Sequence, residues 1–353
     1  MNTSIQRTGR LRVALALCLG VLMLMHQGKA HAQSCSAVSQ TVAFGNVDVI
    51  AGSQNYSSTY TNATTSNVVV TCGVGLLAIG SLKFSACVNI AGASGGIPRT
   101  MSSGANNLSY NLYTDSARTA VWGATGTTPG PVVVNLAITS VLLGASASST
   151  VPIYGKLLSS ENTTAIAGSY TGSPTATVSY NSSYALLGTP SAPTPCSSSA
   201  SGSTSFALTA TATVTNDCTV TATTVNFGSS VGILSSAKTA TGNITATCTN
   251  TDSYSIALNR GTTSGATLTD REMAGSGSAV VHYQLYTPTT ISSTGGTGCN
   301  YATVWGDAST GTSTVGGTGT GVAQNYTVCG RVQAQTTPAP ATYTDTILVT
   351  VSY

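Results

Sequence analysis

Apolar and polar positions alternate with period two along much of the chain. Phe206, Leu208, Ala210, Ala212 and Val214 share one face of an extended segment, and Ala207, Thr209, Thr211 and Thr213 share the other. Ile347, Val349, Val351 and Tyr353 repeat the pattern at the end of the chain. Such runs are short, rich in Thr, Val and Tyr, and separated by Gly-rich turns, which predicts strands. One run differs. Val13 to Met25 is continuously apolar, with Arg7, Arg10 and Arg12 before it and Ala30-His31-Ala32 after it. This reads as a signal peptide over 1–32, too short in its apolar part to span a bilayer of about 20 residues.

The strands fall into one module written twice. Cys35 and Phe44-Gly45 answer Cys218 and Phe227-Gly228; Val70-Thr71-Cys72 answers Ala246-Thr247-Cys248. Arg99-Thr100-Met101 answers Arg271-Glu272-Met273, and Tyr110-Asn111-Leu112-Tyr113 answers Tyr283-Gln284-Leu285-Tyr286. Val121-Trp122-Gly123 answers Val304-Trp305-Gly306, Tyr154-Gly155-Lys156 answers Cys329-Gly330-Arg331, and Tyr170 to Tyr180 answers Tyr343 to Tyr353. The expected division is 33–180 for the first copy, 181–205 for a Pro- and Ser-rich linker, and 206–353 for the second copy. Each copy suits a two-sheet antiparallel sandwich, so the fold class is all-β.

Composition narrows the chemistry. Charged residues make up 6% of the chain. Of 12 basic residues, four (Arg7, Arg10, Arg12, Lys29) leave with the leader, and the remaining eight face nine acidic groups, a net charge of −1. No basic patch is left for phosphates, which argues against nucleic acid. His282 is the one histidine outside the leader, and it lies in a strand-like run. A His-based triad or a His/Cys zinc site has almost nothing to draw on, so neither catalytic nor metal-binding residues are assigned and no cofactor is expected. Asp270 and Glu272 flank Arg271, which suits a turn or salt bridge better than glycoside hydrolysis. Trp122 and Trp305 read as core packing.

Eight cysteines outside the leader, in an exported chain, predict disulfides. Spacing alone leaves 105 pairings. The repeat pairs Cys35 with Cys72 and Cys218 with Cys248; Cys299 with Cys329 is private to the second copy, which leaves Cys87 with Cys196.

Taken together, Cys…Phe-Gly, Val-Thr-Cys, Arg-x-Met, Tyr-x-Leu-Tyr-Thr, Val-Trp-Gly, Tyr-Gly-Lys or Cys-Gly-Arg, and Thr-Val-Ser-Tyr resemble the spore coat protein U domain family. That family includes subunits of archaic chaperone–usher pili. The resemblance implies two tandem immunoglobulin-like β-sandwiches, each completed by a strand supplied from elsewhere through β-strand addition. It implies a periplasmic pilus chaperone, an outer-membrane usher and the N-terminal extension of the next pilin subunit as partners. Only Gln33 and Ser34 precede Cys35 after cleavage, too few to donate a strand, and the second copy ends on its last recognised strand. The second sandwich is therefore expected to lack its closing strand. A subunit that accepts a strand and donates none belongs at the fimbrium tip, exported through the periplasm to the cell surface, where the resemblance implies an adhesin.

Two apolar insertions point the same way. Cys72 to Gly92 spans 20 residues against 13 for Cys248 to Gly261, and Trp122 to Gly155 spans 33 against 25 for Trp305 to Gly330. The excess carries Leu76, Leu77, Ile79, Val141, Leu142 and Leu143, candidates for contact with an abiotic or host surface in attachment or biofilm formation, with longer buried strands as the other reading. A structural coat or shaft subunit and a lectin stacking sugars on Trp122 are the rival functions. Phe206, Leu208, Ala210, Ala212 and Val214 are candidates for a strand that closes the first sandwich within the same chain; the alternative makes them the first strand of the second.

Overall fold

The structure is a computed structural model, and it describes residues 33–47, 49–50, 66–75, 80–92, 98–141, 144–158, 164–197, 199–229, 234–309 and 311–353. The expected signal peptide lies outside them, as do Leu76, Leu77, Ile79, Leu142 and Leu143; Val141 ends a strand. Every long regular element among the described residues is a β-strand, and the chain is all-β in two domains, each with its own apolar core.

In chain order the first core is built from β1 (Gln33–Ser39), β2 (Val42–Val47), β3 (Ser66–Val74), β4 (Gly80–Ile90), β5 (Arg99–Ser103) and β6 (Asn106–Tyr113). There follow β7 (Val132–Val141), β8 (Ala145–Leu157), β9 (Gly168–Gly172), β10 (Ala176–Ala185), β11 (Gly202–Phe206) and β12 (Ala210–Val214). They form two sheets, β1-β3-β8-β6-β5-β9-β12-β2 and β11-β10-β4-β7. The second domain has β13 (Cys218–Ala222), β14 (Lys238–Cys248), β15 (Ser253–Leu258), β16 (Arg271–Ala274) and β17 (Val280–Tyr286). It continues with β18 (Thr290–Ser292), β19 (Gly295–Thr297), β20 (Val315–Thr318), β21 (Gln324–Val332) and β22 (Val349–Ser352). Its sheets run β13-β14-β21-β17-β16 and β20-β15-β22, with β18 and β19 attached along β21. The first five strands of each larger sheet correspond one to one, as do β7-β4-β10 and β20-β15-β22.

The repeated motifs occupy the same places in both cores. Trp122 and Trp305 are fully buried, and each indole N–H donates to a backbone carbonyl, Val88 at 2.8 Å and Ile256 at 2.9 Å. A buried Trp122 has no face to stack on a sugar, so the lectin reading built on it falls. Four disulfides join Cys35–Cys72, Cys87–Cys196, Cys218–Cys248 and Cys299–Cys329. The first and third each link a paired first and second strand at matching registers, Cys35 opposite Cys72 and Cys218 opposite Cys248.

Strands β11 and β12, over 202–214, pack with the first core. Phe206 is not in one strand with Ala210. It ends β11, which adds to β10 with Ala176 opposite Phe206, and the chain then crosses to the other sheet. The crossover is hydrogen-bonded to the start of the chain: Ser39 donates to Ala207 O (2.7 Å) and the Val42 N–H to Thr209 O (2.8 Å). β12 runs antiparallel to β9 and parallel to β2. Leu208, Ala210, Ala212 and Val214 are buried, whereas Phe206, on an outer strand, is half-buried. Alternation persists from Phe206 to Val214 because both sheets face one core, so the change of sheet leaves no mark in the period. Leu208→Ala is expected to destabilise the first domain by about 2–5 kcal/mol and leave the second unchanged. Hydrogen exchange resolved by domain measures this.

Candidate functional site

The two domains differ most where β12 lies. Val42, Phe44, Met101, Tyr170, Ala176 and Val178 are all buried to 2% exposure or less. Their repeat counterparts Val225, Phe227, Met273, Tyr343, Val349 and Val351 are all half-exposed and packed at the margin of the second core. The residue types are nearly the same, so the difference comes from what covers them. In the first domain β12 fills the gap between β9 and β2. In the second, the counterpart of β9 pairs with β16 through reciprocal bonds, Ala274 N–H to Thr344 O (2.9 Å) and Thr344 N–H to Ala274 O (3.0 Å). On its other side no strand is paired among the described residues. Residues 225–228 and 341–345, the counterparts of β2 and β9, thus have no strand paired between them among the described residues. β22 shows the same asymmetry: it pairs with β15 alone, while its counterpart β10 also carries β11. A row of unpaired backbone groups beside half-exposed apolar side chains is a template for one more strand.

Each domain buries an arginine at the start of equivalent strands, Arg99 in β5 and Arg271 in β16. Arg271 donates from Nε and Nη2 to Asn259 O (3.0 and 2.9 Å), from Nη2 to Trp305 O (2.7 Å) and from Nη1 to Gln284 Oε1. Burial lowers its pKa, and nearby Tyr283 and Asp345 oppose that shift. Asp345 accepts from Tyr283 Oη (2.6 Å), from the Thr262 N–H (2.8 Å) and from Thr262 Oγ1 (3.1 Å). Burial, followed by that hydrogen bond, raises the Tyr283 pKa.

The pole of the first domain where the apolar insertions emerge has a further feature. Val74 stands beside Ala145, and Gly80 beside Val141, so the connections 75–79 and 142–144 leave from one end of the sandwich. The chain reaches the same end as it leaves β10, with Ala185 opposite Ser81. Leu186 and Leu187 follow there, 61% and 89% exposed. They fall within 181–205, the stretch expected to be linker, where a Leu-Leu pair among polar residues marks them in the sequence.

Asp270, Glu272 and His282 bring three possible metal-ligating atoms within 4.8 Å of one another. His282 Nδ1, on β17, lies 3.0 Å from Asp270 Oδ1, just before β16, and a cation would have to displace that contact. The paired arrangement suits an acid–imidazole hydrogen bond on the outer face of the sheet.

A sequence model of the Spore Coat Protein U domain matches residues 22–177 and 204–350. The chain belongs to the Spore Coat Protein U domain family. The second match opens inside β11, so the family module counts β11 and β12 as the head of the second repeat, although both strands pack into the first core. No curated protein matches in sequence. Among solved structures, the chain is similar to the CsuC–CsuE chaperone–tip adhesion subunit pre-assembly complex from archaic chaperone-usher Csu pili of Acinetobacter baumannii. The identity is 14%, over 91% of this chain and 100% of that one, with a TM-score of 0.47. It is also similar to the CupB6 tip adhesin from Pseudomonas aeruginosa, at 11% identity over 90% and 93% of the two chains and a TM-score of 0.34. Likenesses this loose bear on neither ligand nor partner.

Matched substitutions test the groove. Met101→Ala is expected to cost about 2–5 kcal/mol. Met273→Ala, at a half-exposed site, is expected to cost about 1 kcal/mol or less. Equal losses in denaturant melts of the two variants would contradict an open groove in the second domain.

Proposed function

We propose that this protein is the tip adhesin subunit of a chaperone–usher pilus, a two-domain protein whose first domain is closed in cis and whose second domain takes its missing strand from a partner. The observation that carries this reading is the paired contrast between buried and half-exposed residues at equivalent groove positions. β12 acts as the donor strand of the first domain. The groove between 341–345 and 225–228 receives first a periplasmic chaperone strand, then the N-terminal extension of the next pilin subunit at the outer-membrane usher. In the first domain, β12 already occupies the corresponding groove, so no strand from another subunit enters there. Such a subunit ends a fibre.

The adhesive surface is the pole of the first domain that carries the exposed Leu186 and Leu187, and Leu76, Leu77, Ile79, Val141, Leu142 and Leu143 are the candidates in the connections that leave the same end. Those connections are apolar in sequence and carry no charged residue, which suits an apolar abiotic or host surface. Electron microscopy with a label on the first domain is expected to mark fibre ends only; labels along the shaft would show a structural subunit instead. Leu77→Ser with Leu142→Ser, and separately Leu186→Ser with Leu187→Ser, are expected to reduce attachment to a hydrophobic surface at least tenfold while fibres still assemble. Unchanged attachment in both pairs would sink the adhesive role. A synthetic peptide with the sequence of residues 202–217 is expected to bind the purified protein and to raise the melting temperature of the second domain alone.

A further inference from the structure

The first domain contains a cavity of about 200 Å³ lined by Arg99, Tyr110, Gly92 and Thr100, with Ser173 and Pro174 at its side. Gly92, Thr100 and Ser173 are exposed, so the cavity opens to solvent. Its floor is polar and incompletely partnered. Arg99 is 3% exposed and donates from Nε to Ala91 O (2.9 Å) and from Nη2 to Ile90 O (2.7 Å) and Trp122 O (2.5 Å). Its Nη1 has no partner, and neither has the hydroxyl of fully buried Tyr110. A buried guanidinium held only by neutral carbonyls lacks a counter-charge, and an unpartnered buried hydroxyl costs about 1–3 kcal/mol. Burial depresses the Arg99 pKa to about 10 and raises that of Tyr110 to about 12, so at neutral pH the pair offers one positive charge and one O–H donor.

The second domain shows what fits. Arg99, Tyr110 and Gly92 correspond to Arg271, Tyr283 and Gly261; the two glycines even share a φ of +94°. There the carboxylate of Asp345 occupies the place. It accepts from Tyr283 Oη at 2.6 Å, and it sits so close to Gly261 that a Cβ there would lie 2.0 Å from Asp345 Oδ2. The position equivalent to Asp345, two residues beyond Tyr170 as Asp345 is beyond Tyr343, is Gly172. A Cβ at 172 would meet Met101 Cγ and Thr100 O at 2.9 Å and Tyr110 Oη at 3.3 Å, so the first domain has no room for a carboxylate on its own backbone there. The neighbouring amide is shortened as well: Gln284 receives Arg271 Nη1, whereas its counterpart Asn111 leaves Oδ1 without a partner.

We propose that the first domain binds a carboxylate from outside the chain, carried on a ligand no larger than a monosaccharide, with Tyr110 Oη and Arg99 taking the place that Tyr283 and Arg271 fill around Asp345. The site is lined by first-domain residues only, so the proposal does not rest on how the second domain is completed.

The test is a titration of the full-length secreted protein with sodium acetate, sodium glucuronate and neutral glucose at constant ionic strength, followed by amide and arginine side-chain NMR signals. Glucuronate is expected to shift the Gly92 amide and the Arg99 Nε signal saturably, and glucose to leave both unmoved. Acetate matching glucuronate assigns the affinity to the carboxylate alone; glucuronate without acetate assigns it to an acidic sugar. Tyr110→Phe removes a hydroxyl that has no protein partner, so its melting temperature is expected to equal that of the wild type while glucuronate affinity falls at least tenfold. A response to glucose equal to that to glucuronate, no saturable shift with either carboxylate, or undiminished affinity in Tyr110→Phe would overturn the proposal. If Tyr110→Phe fails to fold, the wild-type comparison of glucuronate with glucose decides alone.

Discussion

A β-sandwich is complete only when the strands flanking its core satisfy one another's backbone groups and cover one another's apolar faces, and in this protein the first domain meets that requirement with a strand that its counterpart lacks among the described residues. In the first domain the chain turns back after β10, adds β11 to one sheet and β12 to the other, and buries Leu208, Ala210, Ala212 and Val214 between β9 and β2. The backbone of β12 pairs with β9 throughout and with β2 except at Ala212, where the register shifts, and its buried side chains share one core with Phe44, Met101 and Tyr170. In the second domain the same side chains are present and the cover is not. The contrast between two copies of one module, read position by position, is the internal control that isolates what a single strand contributes.

The buried arginines show the same economy of design. Arg99 and Arg271 each collect carbonyl oxygens from the strand ends around a tryptophan, tying together segments that the sheets alone leave loose. A guanidinium suits this because its planar fork presents several donors in fixed directions. Its charge must still be balanced, and the copies have diverged in how they do so, with Asp345 in one and an open cavity in the other.

Much of the architecture was legible in the chain. Period-two runs marked the strands, and the duplicated anchors placed Trp122 and Trp305 in the cores. What remained hidden has physical causes. The crossing of residues 207–209 from one sheet to the other preserves the alternation, so Phe206 looked continuous with Val214. Leu186 and Leu187 sat in a stretch dominated by Pro and Ser, and only the register of β10 against β4 shows that they reach the insertion pole. Arg99 and Arg271 were visible as motif anchors, but burial of a charged side chain has no signature in periodicity. The exchange of Gly172 for Asp345 was present in the repeat as Tyr-Thr-Gly against Tyr-Thr-Asp, and it acquires meaning only once Tyr110 and Gly92 are seen to meet beside it.

The Cys87–Cys196 bond fastens the loop before β11 to the central strand β4. Consider a pull applied to the second domain while the first is held. The load enters the first domain at Val214 and runs along the axis of β12. Hydrogen bonds to β2 and β9 lie across that axis, so they resist together in shear rather than parting one at a time as in a zipper. Should β12 slide, the slack runs back through β11 only as far as Cys196, where a covalent bond to β4 takes the strain. Residues 197–214 are thus the only length of chain that force can draw out of the first domain from that end while the disulfide is intact.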